Sequence, residues 1–120
     1  MKKKILLVDD HDDFRQTVKD YLVGHKLGLE IFEANSGEMG VLKAACVKPD
    51  IVLMDISLPN ENGFEAARQI LEDQPDCDII ILTLFDVAVF KKDAEKIKVR
   101  SFVGKNEVYN KLLPAIKECL

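Results

Sequence analysis

The chain has 120 residues, 48% of them hydrophobic and 32% charged, a composition that supports one domain with a sizeable core. Its net charge is −4, from 17 basic and 21 acidic residues, which excludes the basic footprint of a nucleic-acid-binding domain. No apolar run is long enough to cross a bilayer, and Lys2, Lys3 and Lys4 are followed by too short an apolar stretch for a signal peptide.

In chain order, short apolar runs alternate with helical patterns. The first run, Ile5–Val8, ends on Asp9 and Asp10. Phe14, Val18, Tyr21 and Leu22 then recur at helical spacing. A second run, Leu29–Ala34, leads to Asn35, which with Glu38 matches a helix cap followed by an acid at the third helical position. A helical segment over Met39–Val47 follows. The third run, Ile51–Met54, stops at Asp55 and meets the turn-formers Pro59, Asn60, Asn62 and Gly63. Asn62 with Glu65 repeats the capping pattern ahead of Phe64, Ala67, Ile70 and Leu71. The fourth run, Ile79–Leu82, ends on Thr83. Asp86 is the predicted cap of a fourth helix marked by Val87, Phe90, Ala94 and Ile97. The fifth run, Ser101–Val103, is followed by Lys105, and Leu112, Ala115, Ile116 and Cys119 mark a last helix capped by Asn106 or Asn110. Proline inside a helix costs about 3 kcal/mol, so this helix is predicted to start near Asn110, with Pro114 in its first turn.

Five strand–helix units predict an α/β domain, a three-layer sandwich with a parallel sheet between helices on both faces. The almost wholly apolar runs fit central strands buried on both sides. In such a sheet all carboxyl ends lie on one edge, and ligands bind in the crevice where strand order reverses. In a flavodoxin-like order, 2-1-3-4-5, that crevice lies between the first and third strands. Asp9, Asp10 and Asp55 then face one another, with Thr83 and Lys105 alongside. Lys105 offsets one negative charge, and a divalent cation would offset the others. Oxygen ligands without Cys or His favour Mg²⁺ or Ca²⁺ over zinc, and a small protein ligand set favours Mg²⁺. His11 reads as a loop or first-turn residue, and Asp12 and Asp13 as charges favoured by the start of a helix dipole. Cys46, Cys77 and Cys119 are odd in number and scattered, as suits thiols in a reducing cytoplasm.

The stretches "LLVDDH", "IVLMDISLPNENGFE", "IIILTLFD" and "SFVGK" together resemble the receiver domains of two-component response regulators, in order and spacing along residues 1–120. The resemblance implies that Asp55 is a phosphoacceptor in two-component signalling. It implies that Asp10 ligates Mg²⁺, that Asp9 holds the ion's waters, and that the Ser57 carbonyl completes the protein ligands with Asp55. Thr83 and Lys105 are each implied to contact a phosphoryl oxygen, and Phe102 to be the aromatic switch. The implied donor is a sensor histidine kinase or acetyl phosphate. The implied output is a shift in the face formed by the fourth helix, fifth strand and fifth helix, which controls an output domain or serves as a homodimer surface. Such a domain assists its own phosphorylation and turns over no free substrate; it is cytoplasmic and binds neither nucleic acid nor membrane.

"VDDH", with Asn106 rather than proline after the lysine, resembles regulators that carry a LuxR/NarL-type helix-turn-helix and regulate transcription. Ile97–Ser101 is bulkier than the Ala-Gly-rich stretch common before the aromatic, and Leu84 stands where a small residue is usual in chemotaxis relatives. Two other readings share the residues: a non-phosphorylated pseudo-receiver, and a metal-dependent phosphatase-like enzyme, for which no cap or second acid is evident. A flavodoxin-like cofactor binder lacks its phosphate loop after the first strand.

Overall fold

The computed structural model describes residues 2–56, 63–84 and 95–120. Five strands, β1 (Lys4–Val8), β2 (Glu30–Ala34), β3 (Ile51–Asp55), β4 (Asp78–Thr83) and β5 (Ser101–Gly104), form one sheet in the order β2-β1-β3-β4-β5. Every pairing is parallel. The predicted runs and the predicted order are both present, so the strand order reverses beside β1 and β3 as the crevice requires.

Side-chain alternation along the strands divides the core into two layers. Leu6, Val8, Val52, Met54, Ile79 and Ile81 pack with α2 (Gly37–Val47) and α3 (Gly63–Asp73). Ile5, Leu7, Ile51, Leu53, Ile80, Leu82 and Val103 pack on the other side, with α1 (Asp12–Gly24) and the C-terminal helix (Leu113–Cys119). β1, β3 and β4 are thus covered on both faces, which is why their runs are continuously apolar.

Helix starts depart from the predicted caps. α2 is capped by Ser36 rather than Asn35: Ser36 Oγ accepts from the Met39 N–H at 3.1 Å. The hydroxyl lies three residues ahead of the N–H it satisfies, and Asn35 lies one residue too early. The predicted caps Asn62 and Asp86, and the fourth-helix positions Val87, Phe90 and Ala94, lie outside the described residues. Ile97 is described and packs against the α2–α3 layer. The last helical segment begins earlier than predicted, as a 3₁₀ turn (Lys105–Glu107) and a π turn (Val108–Leu112) ahead of the C-terminal helix. Neither Asn106 nor Asn110 caps it through its side chain. Pro114, in the first turn of the C-terminal helix, has no N–H to offer Asn110, and the ladder widens just before it.

Gly63 sets how closely α3 approaches the sheet. A Cβ there would lie 2.3 Å from the Asp55 carbonyl oxygen and 2.6 Å from Ile56 Cα. Only glycine lets this helix begin against the end of β3.

Candidate functional site

β1 delivers Asp9 and Asp10 one and two residues past its end, and β3 delivers Asp55 as its last residue. Lys105 follows the last residue of β5. Alternation puts Asp55 on the same face as Leu53, toward α1. There Lys105 Nζ lies 2.8 Å from Asp9 Oδ2 and 3.2 Å from Asp55 Oδ2. Phe14 of α1 places its ring 4.6 Å from the same ammonium. The Lys105 side chain is only 5% exposed, Asp9 4% and Asp55 fully buried, so the low dielectric strengthens these pairings.

One lysine does not balance three carboxylates. Asp9, Asp10, His11 and Asp55 each offer an atom within 4.8 Å of the others. The buried oxygens Asp9 Oδ2 and Asp10 Oδ1 receive no directed hydrogen bond, although Lys105 stands beside the first as an ion partner. Close carboxylates with unsatisfied buried lone pairs fit a hard divalent cation. His11 stands at the N-cap of α1, as the loop or first-turn reading has it, and its ring also lies beside the acids. Its N–H donates to Asp9 Oδ1 at 2.9 Å, and its Nδ1 lies 3.2 Å from both Asp9 Oδ1 and Asp10 Oδ1.

Thr83 is buried at the end of β4, one residue beyond Leu82, the register partner of Asp55. It pairs with Gly104, which immediately precedes Lys105. Alternation carries Thr83 to the face of Ile79 and Ile81. Phe102 is partly buried on that same face, with its ring centroid 6.5 Å from that of Phe64. The described site therefore has two sides: Asp9, Asp55 and Lys105 toward α1, and Thr83 and Phe102 toward α3. Ser57 lies outside the described residues.

Two contributors carry no distinct signal in the sequence. Phe14 belongs to the apolar stripe of α1 and looks like core. Arg15, beside it, donates to the Asp9 carbonyl oxygen at 2.6 Å, to Glu33 Oε1 at 2.9 Å and to Asp12 Oδ1 at 2.6 Å. Burial works against the Glu33 carboxylate, but Arg15 and Lys19 outweigh it and hold Glu33 below the usual carboxylate range. Burial, with Asp78 and Asp50 nearby, pushes the Cys77 thiol up to about 12, which disfavours its thiolate. No helix among the described residues is long and apolar enough to cross a membrane.

Comparison with known proteins gives the family and the fold. The family model for the response regulator receiver domain matches residues 5–117. The chain is 32% identical over 115 residues to the response regulator GacA of Pseudomonas protegens, covering 95% of this chain and 54% of that protein. It therefore spans about half the length of that relative. A two-component response regulator of the LuxR family from Aurantimonas sp. SI85-9A1 superposes with a TM-score of 0.87 at 28% identity, over 98% of this chain and 84% of the other. The response regulator TrrA of Thermotoga maritima, in complex with Mg²⁺-BeF, gives a TM-score of 0.87 at 30% identity, over 98% and 99% of the two chains.

Proposed function

The chain belongs to the family of response regulator receiver domains, and from that membership we propose that Asp55 is its phosphoacceptor. The observation that carries this reading is the Lys105 ammonium held between Asp9 and Asp55 at the mouth of the strand-order reversal. An Asp55 carboxylate oxygen forms an O–P bond while the P–N bond of a kinase phosphohistidine, or the P–O bond of acetyl phosphate, breaks. The leaving imidazole or acetate keeps the bonding electron pair. Catalysis is chiefly positioning and charge stabilisation on the equatorial oxygens.

Asp9, Asp10 and Asp55, with the Ser57 carbonyl, are the residues that would hold Mg²⁺. Bound there, the ion supplies positive charge to the phosphoryl oxygens and relieves carboxylate repulsion. Lys105 pairs with a second oxygen and the Thr83 hydroxyl donates to a third. With Thr83 drawn toward the phosphoryl group, Phe102 turns inward on the face it shares with Thr83. That motion biases two arrangements of the face made by the fourth helix, β5 and the C-terminal helix. The domain returns to rest by hydrolysis of its own acyl phosphate and turns over no free substrate. It works in the cytoplasm with a sensor histidine kinase. Its output is a partner, a second copy docked on the switch face, or a LuxR/NarL-type DNA-binding domain; the LuxR family of the Aurantimonas regulator supports the last.

The test is intact-mass measurement after incubation with acetyl phosphate, with and without Mg²⁺, beside Asp55→Asn. One added phosphoryl group that requires Mg²⁺ and disappears in the variant supports the reading. Absence of any adduct from a protein that also fails to bind Mg²⁺ replaces it with a non-phosphorylated pseudo-receiver.

A further inference from the structure

The main chain of Asp9, which leads directly into Asp10, is held at both its N–H and its carbonyl. On one side the Asp9 N–H donates to the Ala34 carbonyl of β2 at 3.1 Å. On the other the Asp9 carbonyl accepts from Arg15 at 2.6 Å. Arg15 is itself fixed: its side chain is 15% exposed, and each of its three nitrogens has its own acceptor, on Asp9, Glu33 and Asp12. Glu33, next to Ala34 in β2, is fixed in turn by Lys19 at 3.2 Å. The result is a closed loop of contacts from the β2 edge, through α1, to the turn that bears two carboxylates.

We infer that Arg15, anchored by Glu33, is a positioning residue that presets the Asp9–Asp10 turn for divalent-cation binding. The inference rests on the reading that these aspartates hold Mg²⁺. A guanidinium suits this role because its planar fork serves several acceptors at fixed angles, which a lysine ammonium does not. Residues that orient metal ligands without touching the metal typically change affinity by about 10–100-fold when removed.

The sign of the effect separates positioning from simple electrostatics. Removing a cation near an acidic pocket strengthens the attraction of that pocket for Mg²⁺. Removing a positioning group weakens binding, because the carboxylates must then be ordered at the moment the ion binds.

The experiment is isothermal titration of the protein with MgCl₂, for the parent chain, Arg15→Ala, Arg15→Lys, Glu33→Gln and Asp12→Asn. Arg15→Ala is expected to raise Kd by about 10-fold or more. Glu33→Gln and Arg15→Lys should fall between it and the parent. Asp12→Asn, whose side chain is 82% exposed, should stay within about twofold. Acetyl-phosphate labelling of Arg15→Ala should slow at limiting Mg²⁺ and recover at saturating Mg²⁺, a split that general misfolding does not produce. If Arg15→Ala does not fold, Arg15→Lys decides, because it keeps the charge and loses the three-acceptor fork. Unchanged or tighter Mg²⁺ binding in Arg15→Ala, or in Arg15→Lys where that variant decides, overturns the inference. Absence of Mg²⁺ binding by the parent chain overturns the reading beneath it instead.

Discussion

The acidic pocket exacts a stability cost that one substitution can expose. With ligand atoms within 4.8 Å, Asp9 and Asp10 each repel Asp55 by about 3.5 kcal/mol at an effective dielectric of about 20. Lys105 at 3.2 Å returns about 5 kcal/mol at the same dielectric. Among these described groups the balance is repulsive, so in EDTA Asp55→Asn is expected to raise unfolding stability by about 1–2 kcal/mol, as read by urea denaturation. With the proposed Mg²⁺ binding the ranking is expected to reverse: free ion at about 100 times its Kd would add about 2.7 kcal/mol to the parent chain and less to the variant. A destabilised Asp55→Asn in EDTA contradicts this account of the pocket. The pocket residues were legible in the sequence because carboxylates that end apolar runs in a parallel sheet must gather on one edge. Lys105 followed by the same rule. Arg15 was not legible, because helical spacing gives a residue's face and not its partners across the loop.

At the scale of elements, two helix starts carry distinct consequences. Ser36 caps α2 through its hydroxyl, so Ser36→Ala should cost about 1 kcal/mol in urea unfolding, while Asn35→Ala should change little. Equal losses from the two variants would contradict the assignment. Gly63 brings α3 against the Asp55 and Ile56 backbone, and the 2.3 Å approach of an added Cβ leaves no flexible side chain to yield. Gly63→Ala is expected to cost about 1–3 kcal/mol, as overpacking does. It should also slow phosphorylation, because the backbone forced to move carries Asp55, the proposed acceptor. A variant as stable as the parent would contradict the close packing. Element types and strand order followed from alternating apolar runs and helical stripes. The caps were harder, since adjacent Asn35 and Ser36 both suit the position and only backbone geometry selects between them. The π turn had no pattern to betray it, and only the awkward Pro114 hinted at an irregular start.

Across the molecule, the sheet is one lever system with its working edge at the carboxyl ends. Two apolar layers lock the strands, and the edge carries all the described buried charge. The β2 side of that edge also sets acid stability. Glu33 is held below the usual carboxylate range by Arg15 and Lys19 against the opposing effect of burial. A carboxyl lowered in the folded state stabilises the fold above its ordinary range, near pH 4.3 for glutamate, and that contribution fades as pH falls toward the folded value. Glu33→Gln is therefore expected to flatten the fall in urea midpoint below about pH 4.3, with a smaller difference from the parent in acid than at pH 7. A parallel pair of pH curves would contradict it. The alternation that fills both layers also places Asp55 on the α1 side and Thr83 and Phe102 on the α3 side, so the proposed phosphorylation switch would have to pass between the sides through the ends of β4 and β5.

The most direct test of the central claim is to locate the phosphoryl group. After incubation with acetyl phosphate and Mg²⁺, borohydride reduction of the acyl phosphate followed by peptide mass spectrometry marks the acceptor as homoserine. The account predicts one reduced residue, Asp55. A mark on Asp9 or Asp10, or a stable phosphoryl group on His11 with Asp55 unmodified, would contradict it.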